Sequence, residues 1–157
     1  MRLPAALLQA LLERRGRSMF PEDEAILVVD TDGERREAMA TMLREEGFPV
    51  TLATEGLTAL RLVATRRFAL VVAAFDLPGT LDGVTTMRQA RLRCPGVKFL
   101  LVAEPGNWPP RRSRADEMIA APFHRWELLG CIFELIHRAA AAEATDLARR
   151  CRTASFA

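Results

Sequence analysis

Short apolar runs alternate along this chain with segments of helical period. Ala25 to Asp30 reads as a first strand, apolar and β-branched. Thr31-Asp32-Gly33-Glu34 predicts a capping box, with Thr31 capping the helix amides and Glu34 reaching back. The helix that follows carries Met39, Met42 and Leu43 on one face and ends near Gly47. Val50 to Ala53 is a short strand. Glu55 to Arg67 is a helix with Leu57, Leu60 and Val63. Phe68 to Ala74 is a continuous apolar strand, as the centre of a parallel sheet requires. A loop with Pro78 and Gly79 leads to a helix over about Gly83 to Arg93. Lys98 to Ala103 is the next strand, Met118 to Ala121 the last, and a long helix runs from Phe123.

Alternating strands and helices predict an α/β fold with a parallel sheet covered on both faces by right-handed crossovers. Five strands fit a flavodoxin-like, doubly wound sheet of order 2-1-3-4-5, with its functional crevice at the carboxyl ends of the strands. One crossover departs from a regular plan. Between Ala103 and Ala121 lie Pro105, Pro109, Pro110 and Gly106, so a shortened or missing fourth helix is expected, at most one turn after Pro110.

Two extensions flank this unit. Residues 4 to 15 predict an amphipathic helix opened by Pro4, with Leu7, Leu8, Leu11 and Leu12 on one side. The final helix is expected to continue to about Arg150, on the order of 39 Å at 1.5 Å per residue. Its stripe holds Trp126, Leu128, Leu129, Ile132, Phe133, Leu135 and Ile136. That arc is wider than the ~100° one core face needs, which predicts a second contact. The expected organisation is an N-terminal helix and linker over 1–22, the α/β domain over 23–139, and a C-terminal helix extension and tail over 140–157.

A chain of 157 residues, 50% hydrophobic and 27% charged, suits one domain with a sizeable core. A net charge of +2 implies no general affinity for nucleic acid. No apolar run approaches a membrane span. The run Leu3 to Leu12 lacks a small-residue cleavage site and does not read as a signal peptide. Cys94, Cys131 and Cys151 form neither a disulfide framework nor a zinc pattern, and reduced thiols in a cytoplasm are expected. The basic residues are 21 arginines and a single lysine, Lys98, so a site that needs a lysine has one candidate.

Several of these segments together carry a resemblance: Ala25-Ile26-Leu27-Val28-Val29-Asp30, Leu70-Val71-Val72-Ala73-Ala74-Phe75-Asp76-Leu77-Pro78-Gly79, Asp82-Gly83, Phe99-Leu100-Leu101-Val102-Ala103 and Ala121-Pro122-Phe123. From about residue 24 to residue 138 the chain resembles the receiver domain of bacterial response regulators, the phosphoacceptor modules of two-component signal transduction. The resemblance implies a set of site positions. An acidic pair after the first strand holds magnesium. An aspartate ending the third strand accepts the phosphoryl group. A Ser or Thr ending the fourth strand and a Lys ending the fifth contact the phosphoryl oxygens. Anionic oxygens need a metal and a cationic donor beside the acceptor carboxylate.

Nearly all of these groups are missing here. Asp30 matches the first acidic position, but Thr31 replaces the second. Ala74 stands at the acceptor position, four residues before Pro78. Ala103 stands at the hydroxyl position and Ala121 at the lysine position. A methyl group can neither attack phosphorus nor donate a hydrogen bond. Lys98 begins the fourth strand, at the opposite end of the sheet. Losing acceptor and lysine together avoids stranding a buried charge. Asp30 reads as a leftover carboxylate, solvated or paired with an arginine, because one carboxylate and a threonine are too few ligands for tight magnesium. Asp76 and Asp82 read as loop solvation and helix capping. His124 and His137 read as surface residues or a helix-start contact. No catalytic residue, metal site or cofactor is expected, and the Asp30-Thr31-Asp32-Gly33 turn lacks the spacing of a dinucleotide fingerprint.

The expected function follows from what remains: a pseudo-receiver, bacterial and cytoplasmic, acting by protein–protein contact without phosphorylation. Its expected partner is another signalling protein or a second copy, with no membrane. The candidate contacts are Trp108, Arg111, Arg112 and Arg114 in the loop before the fifth strand and Leu129, Phe133 and Ile136 on the final helix. Trp and Arg are enriched in binding hot spots, although Trp108 can equally cover the shortened edge with the arginines solvated. The alternative reading is association with nucleic acid or an acidic partner through the Arg-rich loop and the basic ends, which strong salt dependence would reveal.

Overall fold

The computed structural model describes residues 25–108 and 115–138, together with the isolated Ala5. In chain order the elements are β1 (Ile26–Val29), α1 (Gly33–Glu45), β2 (Val50–Ala53), α2 (Gly56–Thr65), β3 (Leu70–Ala74), α3 (Gly83–Arg93), β4 (Lys98–Ala103) and β5 (Glu117–Ala120). A last helix, α4, is described over 125–138. The strands form one parallel sheet of order β2-β1-β3-β4-β5. Register runs Ile26 to Val50 and to Leu70, Leu70 to Lys98, and Leu100 to Glu117.

The strands are apolar throughout because both faces are covered. Leu27, Val29, Val71, Ala73, Phe99 and Leu101 point to one face and pack with Ala59, Leu60 and Val63 of α2 and Met87 and Ala90 of α3. Their neighbours Ile26, Val28, Leu70, Val72, Leu100 and Val102 point to the other. There they meet Met39 and Leu43 of α1 and Leu128, Leu129, Ile132 and Phe133 of α4. Side chains alternate across a strand, so each strand feeds two cores at once. Leu57, expected on the apolar side of α2, is half-exposed instead.

Local signals set the helix ends. The N-cap of α1 is Asp32, whose carboxylate accepts the Arg35 amide at 3.1 Å. The expected cap, Thr31, lies one residue too early. Its hydroxyl donates to the Thr54 carbonyl at 3.1 Å and joins the loops after β1 and β2. At the other end Gly47 takes a positive φ of 91°. Its amide donates to Arg44 O at 2.9 Å and that of Phe48 to Leu43 O at 3.1 Å, the two bonds of a Schellman stop. Asp82 caps α3, accepting from Thr85 N at 2.7 Å, as its place in the sequence predicted. Arg125 ion-pairs with Glu45 and, at 2.9 Å, with Glu46, and so ties the start of α4 to the end of α1.

Residues 104–108 and 115–116 are not helical. The expected single turn after Pro110, the 4–15 helix and the extension beyond residue 138 lie outside the described residues. No helix among the described residues is long and apolar enough to cross a membrane.

Candidate functional site

The sheet order reverses between β1 and β3, and the crevice this opens at the carboxyl ends of the strands holds a cleft of about 340 Å³. Asp30, Thr31 and Asp32 reach it from the end of β1, Arg35 from α1, Ala74 and Asp76 from the end of β3, and Glu104 from the end of β4. The sequence positions Asp30, Thr31 and Ala74 are thus brought together. Ala103 and Ala121 are buried beside the cleft but do not line it. Ala121 N donates to Ala103 O at 2.8 Å, which sets the ends of β4 and β5 side by side. The three alanines are at most 7% exposed, and each presents a methyl group.

Asp30 is the one carboxylate of the site that is buried, at 1% exposure. Its Oδ2 accepts Arg35 Nε at 2.5 Å, and its Oδ1 accepts Arg35 Nη2 at 3.1 Å and Asp32 N at 2.9 Å. Arg35 Nη1 goes on to Glu104 Oε1 at 3.1 Å, and Arg36 Nη1 donates to the Asp30 carbonyl at 2.9 Å. The hydrogen bonds from Arg35 to Asp30 raise the guanidinium's pKa above its ordinary value, against the lowering effect of burial. Across the cleft, Asn107 Nδ2 donates to Asp76 Oδ2 at 3.4 Å. Sequence reasoning allowed Asp30 an arginine partner without saying which. The available signal was Arg35 in the first turn of the helix that starts directly after Asp30.

Magnesium, which the family resemblance implies, does not fit this donor set. Both oxygens of Asp30 are engaged by nitrogen donors, the Thr31 hydroxyl faces Thr54, and Ala74 offers no oxygen from its side chain. Hard divalent ions need six or more oxygens, several of them from carboxylates or carbonyls. Among the described residues no group of three or more His, Cys, Asp or Glu is disposed to hold a metal ion.

Lys98 sits at the amino end of β4, away from the cleft. Its Nζ lies 3.9 Å from Asp116, which also accepts Arg91 Nη2 at 2.7 Å and Phe99 N at 2.8 Å. His124 and His137 are exposed. The His124 amide donates to Glu127 at 2.6 Å at the start of α4, and its ring stacks on Trp126, 5.9 Å between centroids.

The proposed contact residues divide. Trp108 is 50% exposed. Arg111, Arg112 and Arg114 lie outside the described residues. Leu129 and Phe133 are corrected: both are buried in the core, where the Phe133 ring meets Phe48 at 5.6 Å, and Ile136 is half-buried against the same cluster. The wide stripe of α4 is therefore mostly core, with Leu128, Ile132 and Leu135 also buried.

A parallel sheet of this order with its cleft at the β1–β3 switch is the flavodoxin-like architecture that receiver domains share, and comparison with known proteins narrows it to that family. Residues 26–124 match the model of the response regulator receiver domain, and the chain belongs to that family, the receiver domains of two-component signalling. It is 33% identical over 125 residues to the response regulator MprA of Mycobacterium sp. strain KMS, covering 77% of this chain and 54% of that protein. The chain thus spans about half the length of the curated relatives it matches. Among solved structures it is similar to the receiver domain of the sensor histidine kinase PA1611 of Pseudomonas aeruginosa PAO1, which holds a magnesium ion coordinated in its active-site cleft. Identity is 26% and the TM-score 0.67, over 73% of this chain and 98% of that one. A CheY-like receiver from Methanospirillum hungatei, 23% identical with a TM-score of 0.69 over 76% of this chain and 98% of that one, shares the fold.

Proposed function

We propose that this chain is a pseudo-receiver, a signalling adaptor that works by protein–protein contact without phosphorylation and catalyses no reaction. The observation that supports this reading is the alanine at each of three strand ends: Ala74 ends β3 and lines the cleft, Ala103 ends β4 and Ala121 follows β5, both buried. A phosphoryl group arriving there would meet no nucleophile from β3 and no hydroxyl or ammonium donor from β4 and β5. Transfer needs all of these acting on charge as it develops.

A domain that does not switch by phosphorylation acts through the contacts its surface makes. Trp108, exposed in the loop after β4, is the described residue assigned to partner contact, with another signalling protein or a second copy as the partner. A cytoplasmic setting goes with this reading. The alternative of nucleic-acid binding rests on Arg111, Arg112 and Arg114, and nothing among the described residues favours it.

The test is direct. The 157-residue chain is incubated with acetyl phosphate and magnesium, then read by intact mass and by phosphate lability in acid. No phosphoryl adduct is expected, and beryllofluoride should leave the amide NMR spectrum unchanged. A phosphoryl group mapped to any aspartate would falsify the reading.

A further inference from the structure

The cleft of a related receiver holds magnesium, whereas here the buried carboxylate at the end of β1 is met by an arginine. We propose that the Arg35 guanidinium is the resident cation of this cleft, and that it keeps the cleft closed to divalent ions for as long as that side chain is present.

The argument begins with Asp30. A carboxylate at 1% exposure must be paired and hydrogen-bonded. A Coulomb partner that also hydrogen-bonds both oxygens offsets the most of that burial. Guanidinium does this with a planar fork, and Arg35 covers Oδ2 at 2.5 Å and Oδ1 at 3.1 Å. A third donor, Nη1, remains for Glu104 at 3.1 Å. One side chain therefore bridges the ends of β1 and β4, two of the walls from which a metal would draw oxygens.

Position makes the cation permanent. Arg35 sits in the first turn of α1, and the amide of Asp32, the cap of that turn, donates to the same Asp30 oxygen at 2.9 Å. The cap and the ion pair are built from six consecutive residues. A tethered cation has a local concentration fixed by the chain and independent of the medium. Dissolved magnesium would have to displace it and then bind without a second strand-end carboxylate. The remaining wall is acidic, with Asp32, Asp76 and Glu104. Loss of Arg35 would leave the Asp30 charge uncompensated beside these carboxylates and strengthen the cleft's electrostatic attraction for a cation, although among the described residues they form no ready-made metal cluster.

The inference stands apart from the phosphorylation reading, which rests on the three alanines and would survive its failure. Manganese serves as the probe, because it broadens nearby amide signals. The wild-type full chain, Arg35→Ala, and the double variant Asp30→Asn/Arg35→Ala are titrated and melted. Wild type should show no selective broadening at residues 30–32 and 74–76. Arg35→Ala should melt lower, bind manganese about tenfold more tightly or better, broaden at those residues, and recover part of its melting temperature when manganese is added. The double variant should regain stability without manganese and stay unbroadened. If Arg35→Ala does not fold, recovery of folding in the double variant supports the proposal, and failure of both overturns it. Wild type broadened around Asp30 as strongly as Arg35→Ala would overturn it too. So would an Arg35→Ala protein that is as stable and as manganese-silent as wild type.

Discussion

Gly83 lies so close to the Ala74 carbonyl oxygen that a methyl group placed on it would come within 2.4 Å of that atom and 3.0 Å of Phe75 Cα. The start of α3 is thereby seated on the end of β3, and the Gly83 amide donates to Phe75 O at 2.9 Å. In the loop between them Gly79 turns the chain at φ +86°. The end of β3 at the cleft is thus held in place by the start of α3.

Gly83→Ala should therefore destabilise. The clashing atoms are backbone and cannot swing aside, so a loss of about 1–3 kcal/mol is expected. Thermal or urea unfolding measures it, and an unchanged midpoint would contradict the close approach.

Restoring the acceptor should not restore the reaction. Ala74→Asp places a carboxylate at the strand end but supplies no lysine at Ala121, no hydroxyl at Ala103 and no second acid at Thr31. Intact-mass analysis after acetyl phosphate and magnesium should show no more than trace modification. Efficient transfer by this single variant would mean that transfer at this edge does not need a lysine, a hydroxyl and a second acid beside the acceptor.

Phe133 behaves as core. It is 1% exposed and packs on Phe48, so Phe133→Ala should cost about 3–5 kcal/mol. Denaturant unfolding gives the loss. A partner-contact role would instead show as weakened association at unchanged stability.

Burial raises the Cys131 thiol from 9.0 to about 11, with smaller contributions from Glu117, Glu134 and Glu127. A raised thiol pKa favours the neutral form in the folded chain. The associated stability is whole below the unfolded value of 9.0 and is lost as pH rises towards 11. Alkylation at Cys131, followed by peptide mass mapping, should rise with a midpoint near pH 11. A midpoint at the ordinary thiol value would show that the side chain is solvated.

Much of this fold was legible because two periodicities are clean. Short continuous apolar runs alternating with segments of helical period are the pattern of a parallel sheet covered on both faces, and Val50–Ala53, Gly83–Arg93 and Lys98–Ala103 fall at their expected bounds. Of the positions the sequence marked from Pro78 and Pro122, Ala74 lines the cleft and Ala121 lies outside its lining. Three features were not legible. The cap of α1 passed from Thr31 to Asp32 because two capping residues stand side by side, and one residue of helix phase decides between them. The stripe of α4 looked too wide for one contact, but Leu128, Leu129, Ile132, Phe133 and Leu135 are all buried. Two adjacent arginines, Arg35 and Arg36, stand in the first turn after Asp30; the sequence pointed to that turn, and only the side-chain rotamers put Arg35 on the carboxylate and Arg36 on the carbonyl.

Lys98, the chain's single lysine, also offers a chemical handle. It lies at the amino end of β4, about a third exposed, while the cleft lies at the carboxyl ends of the strands. An amine-reactive dye at near-neutral to mildly basic pH has one ε-amino group to find, besides the chain's own α-amino group. A fluorophore placed there sits a strand's length from Asp30 and Ala74. It can report on docking or oligomerisation without touching the residues whose chemistry is in question, and an arginine-rich, lysine-poor composition becomes a means of single-site labelling.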